Sequence, residues 1–321
     1  MSTITPNAVW YLAKNSASEF MKNNSLRLAA ALAYNTIFSL PPLLFIILMA
    51  AGAFFGEAAM SGELYNQSRT ALGEDAARQI QTMITNLNKQ ETHGIAKWIG
   101  FATLFFAATT FFVTLQESLN AIWNIKPKPK NGIAQMAKAR FLSFGMILSI
   151  ALLMLVSFVI SAALSIFTDY LKQIFPDIAV YLLKLVDFVV SVGVITLLFA
   201  LIYKFLPDAI IRWKDVWAGG AITALLFVIG KFLIGWYLSV SDVGSAYGVA
   251  GSIIIILVWI YYSSLIVFYG AEFTQEYAKR FGEEIRPKSY AVSYTIQEIP
   301  NNIADKKAGR PKSEGSFRKQ D

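Results

Sequence analysis

The chain has 321 residues, of which 55% are apolar, 14% aromatic and 15% charged, with a net charge of +7. Soluble domains carry about 25% charged residues, so this composition excludes an ordinary soluble enzyme. There is no cysteine and one histidine, His93, which excludes disulfide frameworks, thiolate chemistry and histidine-rich metal centres.

Residues 1–27 form a cytoplasmic N-terminal segment, in which the stretch from Ala8 to Met21 is read as a short amphipathic helix on the inner surface. Residues 28–56 then contain no charge. A signal-peptide apolar region spans roughly 7–15 residues, so this run is too long for one and is read as a retained span. Pro41 and Pro42 fall near its middle. They remove two backbone donors and free carbonyls near Ile37 and Phe38. Tyr34, Asn35, Thr36 and Ser39 precede the prolines, and two readings stand: a kink satisfied by neighbours, or a broken helix lining a polar pathway.

An outer segment follows, in which Ala76, Ile80, Met83, Ile84 and Leu87 share one helical face. It is read as an amphipathic helix lying on the bundle or acting as a lid. The remaining spans are expected at about 97–116, 141–167, 184–205, 216–240 and 246–271. The fold class is therefore all-α: a polytopic membrane bundle of six helices over residues 28–271, with an outer amphipathic segment between spans 1 and 2. Gly244, Gly248 and Gly251 lie at helical spacing at the start of span 6 and point to close helix packing. The tail, 272–321, is expected to be disordered from about Arg286.

Lysine and arginine divide as 21 on one side of these spans and five on the other. The positive-inside rule then places both termini in the cytoplasm. The basic balance records topology, and no nucleic-acid partner is expected.

Lys231 is the one charge within residues 216–241. A lysine at a span's centre costs about 2.5–3.5 kcal/mol. Outward snorkelling and burial beside an acidic partner both account for it, with Asp187 at the nearest depth and Asp242 second. Glu117 and Glu272 end spans 2 and 6 and are read as helix-end anchors, with Arg140 or Lys279 as partners. No catalytic set, metal cluster or cofactor motif is present in the sequence.

Four blocks carry a resemblance: LRLAAALAYNTIFSLPPLLF from Leu26, LQESLNAIWNIKPK from Leu115, LLFALIYKFLPD from Leu197, and the stretch from Ala246 to Ala278 that ends YYSSLIVFYGAEFTQEYA. Together they resemble the YihY/virulence factor BrkB family of bacterial inner-membrane proteins, once labelled ribonuclease BN. The resemblance runs from about Asn24 to Phe281 and implies a six-helix protein of the inner membrane. It supplies no catalytic residues, and the ribonuclease label finds no support in these residues. It implies a transporter or flippase of a lipid or small polar or anionic solute, with membrane lipids as partners. A non-transporting envelope scaffold is the alternative, and a membrane-associated ribonuclease the weakest reading. Lys231, Asp187, Tyr34, Asn35, Pro41 and Pro42 are the candidate pathway or substrate-binding residues. Oligomeric state is left open by the sequence.

Overall fold

A computed structural model describes residues 6–55, 74–88, 95–128, 176–240 and 249–295, with short pieces between 61 and 69 and between 141 and 152. The third expected span, 141–167, lies almost wholly outside the described residues, as do Gly244 and Gly248. The elements are α1 (Pro6–Lys22), α2 (Ser25–Phe55), α3 (Glu74–Asn88), α4 (Ile95–Ile122), β1 (Ile125–Pro127), α5 (Pro176–Phe205), β2 (Ala209–Ile210), α6 (Trp213–Val240), α7 (Val249–Phe281), β3 (Arg286–Pro287) and β4 (Ala291–Ser293). Five of them, α2, α4, α5, α6 and α7, are long and apolar enough to cross a bilayer.

Local chemistry sets the boundaries. Pro6 and Pro176 open α1 and α5, where the missing N–H has no intrahelical partner to lose. Asn24 and Asn124 adopt left-handed backbone at φ 52° and 54°. Asparagine tolerates that conformation, and the two residues end α1 and α4 with a sharp change of direction. Asp215 lies in the first turn of α6, where its charge suits the helix N-terminus.

The spans pack in the order α4, α2, α7, α6, α5, so that α7 lies between α2 and α6. Small residues let the backbones approach. A side chain on Gly219 would run into Thr274, and one on Gly270 would run into Thr223. These reciprocal contacts knit α6 to α7. Gly220 sits in the same way against the backbone of Thr196 and Ala200, which joins α6 to α5. The core centres on Phe112, Leu115, Leu119, Tyr203, Leu206 and Phe268.

The amphipathic helix expected between spans 1 and 2 is present as α3. Ala76, Ile80 and Ile84 are buried against Ile256, with Ile37, Leu40, Leu44 and Trp259 around them. The helix is thus seated between α2 and α7.

Of the two readings of Pro41 and Pro42, the broken helix is not seen: α2 is continuous through both. The polar residues before the prolines bond inward: the Thr36 hydroxyl donates to the Leu32 carbonyl at 2.6 Å, and the Ser39 hydroxyl to the Asn35 carbonyl at 3.0 Å. The tail, expected to be disordered from about Arg286, carries two short strands within residues 286–293. Strand β3 pairs antiparallel with β2, and β4 pairs antiparallel with β1 in the register Ile125↔Ser293. This clasp ties the end of α7 to the ends of α4 and α5.

Candidate functional site

At one end of the bundle the termini of α2, α4, α5 and α7 converge, and buried polar side chains join them. The Asn23 amide follows α1 and donates to Glu272 Oε1 at 2.8 Å. It also reaches the carbonyl of Ile122, the last residue of α4, at 3.5 Å. Glu272 is fully buried, and its Oε2 has no hydrogen-bond partner. The indole N–H of Trp123 donates to the carbonyl of Ala271 at 3.1 Å. The Tyr203 hydroxyl, also fully buried, lies 2.7 Å from the Val267 carbonyl and 2.9 Å from the Thr223 hydroxyl.

Asp208 is the second buried carboxylate. It follows Pro207, after α5, and accepts from Gln116 Nε2 at 3.2 Å and Asn120 Nδ2 at 2.9 Å. Its own N–H donates to Asn120 Oδ1 at 2.8 Å, so residue 120 is satisfied on both sides of its amide. The Tyr290 hydroxyl bonds to the same carboxylate. The Lys288 N–H donates to the Asp208 carbonyl at 2.9 Å. Asp208 therefore holds α4, the α5–α6 link and the tail together. Beside it, Arg212 pairs with the buried Asp215 at 3.1 Å and with Glu283 at 3.5 Å.

Burial raises the Tyr290 hydroxyl above its ordinary pKa of 10.0, and the charge of Asp208 and the bond to it add to the rise. A raised phenol contributes its stability below the unfolded value, about pH 10, and loses it as pH climbs further. Between about pH 9 and about pH 11, thermal melting in detergent is expected to fall more steeply for the native protein than for Tyr290→Phe. Parallel curves would show that this phenol does not hold the tail.

An apolar groove adjoins the junction. Phe20, Leu226, Leu265, Ile266 and Tyr269 line a shallow, open volume of about 290 Å³ where α1 packs on α7 beside α6. The rings of Phe20 and Tyr269 lie 6.3 Å apart, and the Tyr269 hydroxyl donates to the Ala13 carbonyl at 3.1 Å. Asn23 is three residues past Phe20, and Glu272 three past Tyr269. The groove and the buried polar pair are therefore about one helical turn apart.

The residues singled out from sequence fall in two places. Asn35 links α2 to α4 through its amide on the Thr114 hydroxyl at 3.1 Å. Tyr34 is 63% exposed and packs edge-on against Phe38, on the side of α2 turned away from the bundle. Pro41 is half-buried and Pro42 buried. Lys231 belongs to α6, across α7 from this group. It is half-buried, on the stripe Gly220, Ala224, Phe227, Lys231, Ile234 that faces α5. On that stripe the Phe227 ring lies 5.9 Å from Phe199. Counted from the Gly220 contact toward the far end of the bundle, Lys231 and Asp187 come to about the same level on neighbouring helices. The side chain of Asp187 lies outside the described residues, as does Asp242. Gly251 is buried.

Glu272 departs from the helix-end reading, because Lys279 pairs with Glu276 at 2.8 Å and the carboxylate of residue 272 turns to Asn23. Glu117 is exposed. Asn23, Gln116, Asn120, Tyr203, Asp208 and Tyr290 were not singled out from sequence. The four-residue spacing of Gln116 and Asn120 was the available signal, since it puts two amides on one face of α4.

Residues 16–295 match the virulence factor BrkB family. The chain belongs to that family. The matched stretch takes in the whole junction and the clasp strands of the tail. Among relatives, it is 30% identical over 266 residues to a UPF0761 membrane protein of Pseudomonas aeruginosa (strain LESB58), which covers 79% of this chain and 60% of the relative. It is 29% identical over 252 residues to one of Verminephrobacter eiseniae, covering 77% and 57%. With one of Psychromonas ingrahamii it shares 30% identity over 275 residues, covering 82% and 87%. The chain thus spans about 60% of the length of the first of these BrkB-family relatives. No solved structure matches it. It is a multi-pass membrane protein of the BrkB family.

Proposed function

We propose that this BrkB-family protein transports an amphipathic, lipid-like molecule across the bacterial inner membrane, with both termini in the cytoplasm and without catalytic chemistry. One observation carries the reading. An apolar groove of about 290 Å³ lies about one helical turn from the buried pair Asn23–Glu272. A ligand with an apolar tail and a polar head matches that juxtaposition. Buried ionisable groups in a membrane bundle are costly and mark ligand or ion pathways. Lys231, half-buried on the face of α6 toward α5, supplies a fixed positive charge for an anionic head farther along the path.

Native mass spectrometry of the protein released from native-lipid discs tests the binding. Leu265→Trp fills the groove and is expected to lower the lipid retained at least about fivefold, equivalent to about 1 kcal/mol of binding. Unchanged retention would remove the groove from the account.

Lys231→Met keeps the apolar stem and removes the ammonium. It is expected to accumulate normally, because insertion becomes easier, and to lose most translocation of an anionic lipid analogue. Lys231→Arg keeps the charge in another shape and should retain part of it. Wild-type translocation by Lys231→Met would assign this lysine to snorkelling alone.

A further inference from the structure

The junction contains a buried carboxylate that, among the described residues, makes no ion pair and leaves one oxygen unmet. Glu272 has no exposed surface, takes one hydrogen bond, from Asn23, and leaves Oε2 without a partner. The charges on the elements packed around it are engaged with one another. On α1 the nearby charge is Glu19, and Lys22 binds it at 2.7 Å. On α7 the nearby charges are Glu276 and Lys279, and these pair with each other at 2.8 Å. From α4 come the Ile122 carbonyl and the Trp123 indole, which is spent on Ala271. Among the described residues, Glu272 takes part in no salt bridge.

Two further groups of the junction lie close by in the chain or share a partner with Glu272: Ser25 is two residues past Asn23, and the Ile122 carbonyl meets the same Asn23 amide. The Ser25 hydroxyl is fully buried and has no partner. It heads the buried stripe Ser25, Ala29, Leu32, Thr36, Ser39 of α2. The Ile122 carbonyl belongs to the C-terminus of α4, the negative end of a helix. An unpaired carboxylate away from water is strongly unfavourable unless a positive partner reaches it. Carboxylate and carbonyl oxygens suit a hard cation, and a single buried carboxylate is balanced by one positive charge.

We propose that Glu272 is the binding site of a monovalent cation, a sodium ion or a proton, whose uptake and release at Oε2 couples the junction to the transport cycle. The role in a cycle rests on the transport reading; the site itself does not. Because Glu272 follows Tyr269 by one turn of α7, filling or emptying the site acts on the helix that lines the groove.

The test is thermal melting of the purified full chain in detergent, which involves no transport. One series replaces choline chloride by sodium chloride at fixed pH and ionic strength. The other lowers the pH from about 8 to about 5 in sodium-free buffer, a range that brackets carboxyl titration in proteins. The native protein is expected to gain at least about 3 °C in one of the two series. A response to sodium identifies the ion as sodium, and a response to acid alone identifies it as a proton. Glu272→Gln keeps the size and the Asn23 contact and is expected to lose the response. Asn23→Ala removes the hydrogen bond that the carboxylate accepts and is expected to shift the midpoint of the response at least about threefold in cation concentration, about 0.65 kcal/mol. A native protein indifferent to both series overturns the site. So does a Glu272→Gln variant that responds like the native protein, or, if that variant fails to accumulate, an Asn23→Ala midpoint that does not move. Lipid translocation is measured separately, so a failure of transport leaves this result standing, and the reverse.

Discussion

Replacing Asp208 by alanine is expected to free the tail and lower stability by about 3–5 kcal/mol. The carboxylate is buried and accepts from Gln116, Asn120 and Tyr290. Alanine leaves these donors facing an apolar gap, and each unsatisfied donor costs about 1–3 kcal/mol. The loss is a large part of the stability of an ordinary domain. Asp208→Asn keeps one acceptor oxygen and should cost less than half as much. Limited proteolysis is the direct readout, since Lys288 lies on the clasp between β3 and β4 and becomes cleavable when they leave β2 and β1. A tail still protected in Asp208→Ala would show that strand pairing suffices to hold it. The chain has no cysteine. A Lys126→Cys/Val292→Cys pair, at facing positions of β1 and β4, would therefore restore protection on oxidation without competing thiols.

A comparable loss is expected from Gly270→Ala, and its pattern of rescue is more informative. A methyl at this position runs into the Thr223 side chain and comes within 2.5 Å of the Tyr203 hydroxyl. Both are fixed: Thr223 donates to the Gly219 carbonyl at 2.7 Å, and Tyr203 is buried against Val267. Overpacking of this kind costs about 1–3 kcal/mol and more where neighbours cannot yield. Shortening Thr223 to alanine leaves Tyr203 in the way, so rescue is expected to be slight. Gly219→Ala differs. Its obstacle is the Thr274 side chain, and Thr274→Ala in the same chain should recover most of the loss. Gly235 has open space around it, so Gly235→Ala should be neutral or stabilising by up to about 1 kcal/mol. Melting temperatures of the five variants check all of this. Equal losses at positions 235 and 270 would deny the close α6–α7 approach.

The spans were legible because a helix crossing lipid must be apolar for about 20 residues, and a helix of a soluble protein is seldom uncharged over that length. The inner face of α3 was legible for a similar reason, since Ala76, Ile80 and Ile84 repeat at helical spacing. The clasp was not. Its strands are two and three residues long, too short to show an alternating pattern. They are held by Asp208 and Tyr290, 82 positions apart. The proline pair left two readings open. Two prolines free the carbonyls of Ile37 and Phe38, and α2 nevertheless runs on as a helix through them, with Pro42 buried. Glu272 and Asp208 stand at the ends of apolar runs, where charges ordinarily meet water. Only the meeting of helix ends distant in sequence reveals that they are buried.

The central claim is movement of an amphipathic molecule across the membrane. Its most direct measurement is translocation of a fluorescent anionic phospholipid in proteoliposomes, read by the fraction that a membrane-impermeant reductant can quench, with a sodium or proton gradient imposed. The account predicts gradient-dependent movement by the native protein that falls at least about tenfold, or about 1.4 kcal/mol in rate terms, in both Leu265→Trp and Glu272→Gln. Movement equal to that of protein-free vesicles under both gradients, from protein shown to be folded and inserted, would contradict it and favour an envelope scaffold.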